Sequence, residues 1–354
     1  MSNNDRRLIY PEYSKSMVNK AAKNIVASLN DGTTINEKDE LIIENWRASH
    51  THVLNTWQVI FRQKVKNQKN IVFAQRLKRK NTIYDKLKRY PQMEFARMHD
   101  IAGCRLIFKD SKTLYDFIKH VHNSSFKHEL KTNECKDYIK YPKESGYRGV
   151  HDIYLYQTRN KNNTSNKWNG LSVEIQYRTI YQHAWATAVE VADSLMKCRT
   201  KFSEGDKKQY EFFQLASEII ARVYEKTHSC KANLSNQELV ESFLAIENNI
   251  SLLHRLKQLK AIHKADIFKK HTIIIFDVIE DGTPCSKIIT FDNFQHANKK
   301  YFDYEKQYPT SDIVLVSTND KLISKSIQNA YRNYFADTTD FTEYITNGIK
   351  QLAL

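Results

Sequence analysis

The segment Leu171-Ser-Val-Glu-Ile-Gln-Tyr-Arg178 alternates apolar and polar residues without a break. A period of two puts Leu171, Val173, Ile175 and Tyr177 on one face, and Ser172, Glu174, Gln176 and Arg178 on the other. Such a segment settles only as a strand with one face against a core, because a one-residue slip would turn every apolar side chain to water. Cys104–Phe108 and His151–Tyr156 also read as strands, and helical patterns cover 111–122 and 180–197. Before them come three helical patterns. Residues 11–30 carry the stripe Met17, Ala21, Ile25 and Leu29, residues 37–66 follow the N-cap candidate Asn36, and residues 71–89 are basic on the polar side. The pattern predicts an α/β (α+β) fold: a mixed sheet with flanking helices.

A second α/β pattern closes the chain. Residues 203–268 read as helical, interrupted near 229–235. Strands are expected at Thr272–Ile279, Lys287–Phe291 and Asp312–Ser317, with a helix over 293–306 and further helices to the end. The expected division is 1–202 for the main domain with its N-terminal helices, 203–268 for a helical linker, and 269–354 for a small C-terminal domain. Residues 159–168 read as an exposed polar loop.

Composition narrows the classes of partner. The chain has 354 residues and a formal net charge of +15, which favours polyanions such as nucleotides, RNA or DNA. Its five cysteines form no Cys-x-x-Cys pair, which argues against a disulfide framework and against a zinc site. No apolar run approaches the ~20 residues that span a bilayer, and residues 1–7 lack a signal-peptide core. A soluble, cytoplasmic protein without membrane attachment is expected. With only 8 glycines in the chain, Gly103, Gly146 and Gly149 stand out, because all three fall in the segments richest in candidate chemistry.

Three constellations carry that chemistry. Asp100 lies just before one strand and Glu174 within another, so two carboxylates at neighbouring strand edges could share one Mg²⁺. Read as a helix, Lys78, Thr82 and Lys86 form one stripe whose like charges call for an anion such as a triphosphate or a nucleic-acid backbone. The basic loop Lys140–Arg148 presents Tyr147 beside Gly146 and Arg148, which suits stacking on a base. Phosphate-binding cations, an aromatic ring and paired carboxylates together point to phosphate transfer from a nucleotide. His99-Asp100 and His151-Asp152 also suggest an HD-type phosphohydrolase, but they sit among strand and loop signals where that helical metal site does not belong.

These segments resemble the synthetase domain of the RelA/SpoT family. Its Arg-x-Lys-x-x-x-Ser-x-x-x-Lys pattern matches Arg76, Lys78, Thr82 and Lys86, with threonine for serine. Its Asp-x-x-Gly-x-Arg segment matches Asp100, Gly103 and Arg105, and its Asp-Tyr-Ile-x-x-Pro-Lys-x-x-Gly-Tyr-x-x-x-His loop matches Asp137 to His151. Its Glu-Ile-Gln-x-Arg-Thr strand and following histidine match Glu174 to Thr179 and His183. The resemblance covers about residues 70–195 and implies a nucleotidyltransferase-like sheet. The implied reaction moves the pyrophosphate of ATP to a 3′-hydroxyl and releases AMP. Asp100 and Glu174 would hold Mg²⁺, with Glu174 also a candidate base. Arg76, Lys78, Lys86 and Arg105 would bind the donor phosphates. Tyr147 would stack on the acceptor base, with Lys143, Arg148, His151, Gln176 and Arg178 around it. No hydrolase domain is expected before the synthetase.

The C-terminal unit resembles the pseudo-zinc-finger domain of fused toxin–antitoxin synthetases of the CapRel type. Tyr331-Arg-Asn-Tyr334 matches that family's Tyr-x-x-Tyr element, which implies Tyr331 and Tyr334 as regulatory residues at the ATP site. That resemblance implies the tRNA 3′ end as acceptor, arrested translation, and a phage-encoded trigger bound by the C-terminal domain. Synthesis of (p)ppGpp from GDP or GTP is the alternative, and a catalytically silent RNA-binding regulator is a further one.

Overall fold

The computed structural model describes residues 9–66, 68, 71–158, 164–197, 205–259, 268–269, 271–278, 284–308, 311–317, 331–332 and 337–354. Two helices lead the chain, α1 (Lys15–Asp31) and α2 (Glu37–Val65). Their first turns are capped by side chains: Ser14 Oγ accepts from Met17 N at 3.3 Å, and Asn36 Oδ1 from Lys38 N at 2.9 Å. The buried stripe of α1 is Val18, Ala21, Ala22 and Ile25, while Met17 is exposed, so the helix is rotated slightly from the expected stripe.

The expected third helix divides in two. Val72–Leu77 is strand β1, and only Lys80–Arg89 is helical, as α3. β1 pairs antiparallel with β2 (Ala102–Phe108) along its whole length, and that ladder outweighs the local helical pattern. Next come α4 (Ser111–His122), the short strands β3 (Glu129–Leu130) and β4 (Lys136–Asp137), β5 (Val150–Leu155), β6 (Ser172–Thr179) and α5 (Ile180–Lys197). Asp110 caps α4, accepting from Thr113 N at 2.7 Å. The expected loop at 159–168 is only partly described. Thr164–Trp168 is a 3₁₀ turn, and Trp168 is buried rather than exposed, its indole donating to Ile9 O at 2.9 Å.

The main sheet has the order β1-β2-β6-β5-β3, with β4 also paired to β5. β2 and β6 run parallel, and the other pairs are antiparallel. Alternation then divides the sheet. Cys104, Leu106, Phe108, Val173, Ile175 and Tyr177 join α1, α2 and α4 in one core around Trp57 and Phe61. The opposite face carries the polar residues of β2 and β6.

After this come α6 (Gly205–Glu225), α7 (Asn236–Ile250) and α8 (Leu252–Gln258), then β7 (His271–Val278), β8 (Pro284–Phe291), α9 (Phe294–Gln307), β9 (Asp312–Ser317) and α10 (Thr339–Leu352). The C-terminal strands form a separate small sheet of order β8-β7-β9. One face of it, with Ile273, Ile275 and Ile313, packs on Ala297 and Tyr301 of α9. The other face, with Ile274, Phe276, Val314 and Val316, shares a core with α5, α6, α7, α8, α10, Ala74 and Tyr331. Residues 205–258 therefore do not behave as a spacer. They are the interior against which both sheets pack.

Arg47 ties the units a second time. From α2 it donates to Lys78 O at 2.6 Å, to both Glu305 oxygens at 2.6 and 2.9 Å, and to Tyr301 Oη at 2.8 Å. A fully buried guanidinium needs this bidentate partner. Among the described residues no helix is long and apolar enough to cross a membrane.

Candidate active site

The strand registers assemble the site in two rows. Arg76 lies opposite Gly103, Gly103 opposite Glu174, and Glu174 opposite Ile153. Ala74, Arg105, Gln176 and His151 form the adjacent row in the same way. Paired residues share a sheet face, so residues far apart in sequence converge. Between Arg76 and Glu174 stands Gly103, whose missing side chain leaves the floor open there.

Asp100, two residues before β2, accepts from Lys78 Nζ at 2.8 Å and from Lys86 Nζ at 2.9 Å. Burial alone would push its carboxyl up, but the two ammonium groups overcome burial and hold it well below the usual carboxylate range. The expected single stripe is thus corrected: Lys78 follows β1, Lys86 lies on α3, and both point at Asp100. Burial lowers the Lys78 pKa, with Asp100 opposing the shift.

Glu174 anchors a second network. Its Oε1 is 3.0 Å from His151 Nδ1, and its Oε2 accepts from Gln176 Nε2 at 2.7 Å. His151 Nε2 lies 2.6 Å from the Tyr147 hydroxyl, which also accepts from Arg178 Nε and Nη2 at 3.3 and 3.2 Å. Arg178 Nη2 returns to Gln176 Oε1 at 3.1 Å, closing a ring of polar contacts. Burial works against ionisation of Glu174, yet the His151 contact and the Gln176 bond bring its pKa down to about 2. Arg178 and His151 offset burial at Tyr147 and hold its phenol below the ordinary value.

Two spaces meet at these carboxylates. The inner one is lined by Arg76, Gly103, Arg105, Gln176, Glu190 and Tyr331 among others, and leaves about 20 Å³ for water centres, room for one or two waters. The outer cleft, with Lys86, Lys136, Tyr138 and His151 in its wall, leaves about 330 Å³. Among the described residues only Asp100 and Glu174 line both. The inner space is lined in part by Tyr331, which is buried and whose hydroxyl accepts from Gln75 N at 3.0 Å and donates to Gln75 O. Tyr334 lies outside the described residues.

Not every expected site residue faces these spaces. Arg148 is buried and ion-paired with Glu225 of α6, so as placed it cannot reach a solute. Tyr147 is not a bare platform either. Lys143 Nζ and Arg178 Cζ lie 5.3 and 5.2 Å from its ring centre, and a stacked base would have to displace the exposed Lys143. Thr82 lines a small recess with Arg76, Lys78 and, from β9, Ile313 and Val314. His183 is buried, and Asp152 faces away from the site, 2.7 Å from His122 Nε2.

Sequence reasoning missed Glu190 and Arg47. Glu190 is the one acid in the apolar run His183–Ala192, and Arg105 Nη2 lies 3.9 Å from it. That isolation was a readable signal. Arg47 had none, because its partner Glu305 is 258 residues away.

Residues 75–197 match the family described as the region found in RelA / SpoT proteins. GTP pyrophosphokinase YwaC of Bacillus subtilis is 36% identical over 91 residues, 25% of this chain and 40% of that protein. GTP pyrophosphokinase YjbM of the same organism is 34% identical over 115 residues, 32% of this chain and 51% of that protein. The chain thus spans about half or less of the curated relatives it matches. Among solved structures, the small alarmone synthetase 1 of Bacillus subtilis bound to its product pppGpp is 24% identical, with a TM-score of 0.41 over 53% of this chain and 93% of that one. Asp100, Glu174 and their strands all fall within 75–197, and that part of the chain carries the RelA/SpoT region.

Proposed function

We propose that the chain transfers the pyrophosphate of ATP to a hydroxyl of a nucleotide acceptor. The observation that carries this reading is the pair Asp100 and Glu174 standing between two spaces, an inner one that Arg76 and Arg105 help to line and an outer cleft. The ATP phosphates would lie on the inner side, against Arg76 and Arg105. The acceptor hydroxyl would enter from the outer cleft near His151 and Tyr138. Its oxygen bonds the β-phosphorus and gives up its proton to water, the bond from that phosphorus to the α–β bridging oxygen breaks, and AMP leaves with that oxygen. Lys78 and Lys86 are close enough to exchange Asp100 for phosphate oxygens as ATP arrives.

Asp100 and Glu174 are the residues that would hold Mg²⁺. Both are ionised across the neutral range, and each carboxylate has lone pairs beyond its present donors. An ion of this kind is held by one or two carboxylates plus substrate phosphates. When bound, the ion supplies neutralisation of phosphoryl charge. A Glu174 pKa of about 2 favours the ligand role over that of general base, because a base works best when poised near the working pH.

The acceptor we favour is the 3′ end of tRNA. Exposed Lys136 lines the cleft, and exposed Lys140 and Lys143 follow it along the chain beside Tyr141, which is 68% exposed, a pattern suited to a polynucleotide. The net charge of +15 agrees. GDP or GTP is the second reading, favoured by the relatives named GTP pyrophosphokinases. On either reading we take Tyr331, in the wall of the inner space, to hold the donor side shut, and a trigger, of phage origin on the toxin reading, would have to withdraw it. Incubation with γ-labelled ATP and either tRNA or GDP and GTP, for the native chain and Tyr331→Ala, decides the matter. Label on tRNA supports the first reading and label on guanine nucleotide the second. No labelled acceptor in either protein overturns both.

A further inference from the structure

The loop that carries Tyr147 is gripped by a helix outside the matched region. Gln214 Nε2 of α6 donates to Glu144 O at 2.7 Å, and Ser217 Oγ donates to Gly146 O at 2.6 Å. The approach is close: a Cβ at Gly146 would stand 2.9 Å from Ser217 Cβ, and Gly146 adopts φ 87°. At the end of α6, Glu225 pairs with Arg148 and accepts from Thr179 Oγ1 and Gln182 Nε2, each at 2.8 Å. One carboxylate thus joins the loop, the end of β6 and the start of α5.

The far side of α6 is occupied as well. At about 100° per residue, Gln214, Ser217 and Glu225 share one side of the helix, and Ile219 and Val223 lie on the other. There α10 packs so closely that a Cβ at Gly348 would come within 2.5 Å of Ile219 Cγ2. The Tyr224 hydroxyl donates to Tyr344 O at 3.1 Å, and the rings of Tyr181, Tyr224 and Tyr344 lie within 5.0 Å of one another. The C-terminal segment therefore touches the two sides of the site differently: Tyr331 lines the inner space, and α10 backs the helix that holds the outer loop.

We infer that Gln214, Ser217 and Glu225 are positioning residues for the acceptor loop, and that α10 braces α6 so that this loop keeps its conformation. The inference rests on the reading that the loop meets the acceptor. It separates two roles of the C-terminal segment, an inhibitory contact at Tyr331 and a supporting one at α10.

The test uses the full chain with Gln214→Ala/Ser217→Ala and, separately, Gly348→Ala. Alanine keeps both helices intact. Amide hydrogen exchange is followed at 138–149 and at 102–108, and kinetics are measured with Tyr331→Ala in the background. The expected result is roughly tenfold faster exchange at 138–149 with 102–108 unchanged. The KM for the acceptor should rise about tenfold while that for ATP stays put. Unchanged or uniformly faster exchange in the double variant overturns the positioning role, as does an equal rise of both KM values. Unchanged loop exchange in Gly348→Ala alone overturns the brace. If the unmodified site transfers nothing to any acceptor, the functional reading fails, and the exchange comparison still decides the grip.

Discussion

The two spaces that meet at Asp100 and Glu174 are built on one sheet face and differ in the room they leave and in what lines them. The inner one has about 20 Å³ left, and the outer cleft about 330 Å³. Their shared wall comes from β6 and the segment before β2, both within residues 75–197. Tyr331, 256 residues beyond its partner Gln75, lines only the inner one. On the proposed reading, one aromatic ring from a distant segment controls access to a site whose floor is local in origin. Closure of this kind is thermodynamically cheap: holding about 99% of molecules shut takes about 2.7 kcal/mol, half the amount that moves an equilibrium from 1:99 to 99:1.

The largest expected effect breaks the shared wall. Glu174→Gln keeps the shape and removes the charge, and we expect roughly a thousandfold loss of transfer, about 4 kcal/mol at ~1.36 kcal/mol per tenfold. Single-turnover assays with circular dichroism as the fold control check it. Near-native turnover would remove Glu174 from the chemistry and leave the two spaces unrelated.

Next in size is the effect at Tyr331. Tyr331→Ala should tighten ATP binding by up to about a hundredfold, the factor lost when about 1% of molecules are competent. Calorimetric titration of both proteins measures it. Equal affinities would mean that the inner space is not the donor site, or that Tyr331 is ordinary packing. Acceptor affinity should barely move, which is how this variant separates one side from the other.

A smaller effect distinguishes two uses of Tyr147. If the ring alone matters, Tyr147→Phe is silent. The hydroxyl contacts to His151 and Arg178 predict otherwise. We expect about a tenfold rise in KM for the acceptor, in line with one lost charge-assisted hydrogen bond at roughly 1.5 kcal/mol. Steady-state kinetics at saturating ATP would show it, and a phenylalanine variant equal to the native protein would restore the plain stacking role.

The smallest effect contrasts the site face with the core face of the same sheet. On the core side, the hydrogen bond to Asp152 raises the His122 pKa against burial. A raised histidine pKa contributes stability that is complete below the unfolded value of about 6.5 and disappears as pH rises through the folded value. The melting temperature of His122→Ala should therefore fall further below that of the native chain near pH 5.5 than near pH 8.5. A gap that is flat or widens with pH would mean that the pair is not ionic.

Local pattern made much of this legible. The alternation of Leu171–Arg178 places Glu174, Gln176 and Arg178 on one face and the core residues on the other, as found. Asn36 caps α2, and 111–122 and 180–197 are helices. Three features were misread or unreadable. Val72–Leu77 looks helical until β2 offers it a ladder. Arg148 looks like a ligand-binding cation until Glu225 of α6 takes it into the interior. The alternation of β6 does not say how deep its polar side lies, and Ser172 and Arg178 are buried.

The sequence by itself determined which residues could do chemistry and which strand faces they occupy, because side-chain periodicity and residue type are properties of short segments. Which of those residues remain reachable was decided only by the tertiary structure. Burial and ion pairing depend on partners more than a hundred residues away: Glu305 for Arg47, Gln75 for Tyr331, Tyr344 for Tyr224. No local pattern records such a pairing, because the free energy that selects it belongs to the assembled interior rather than to either segment alone.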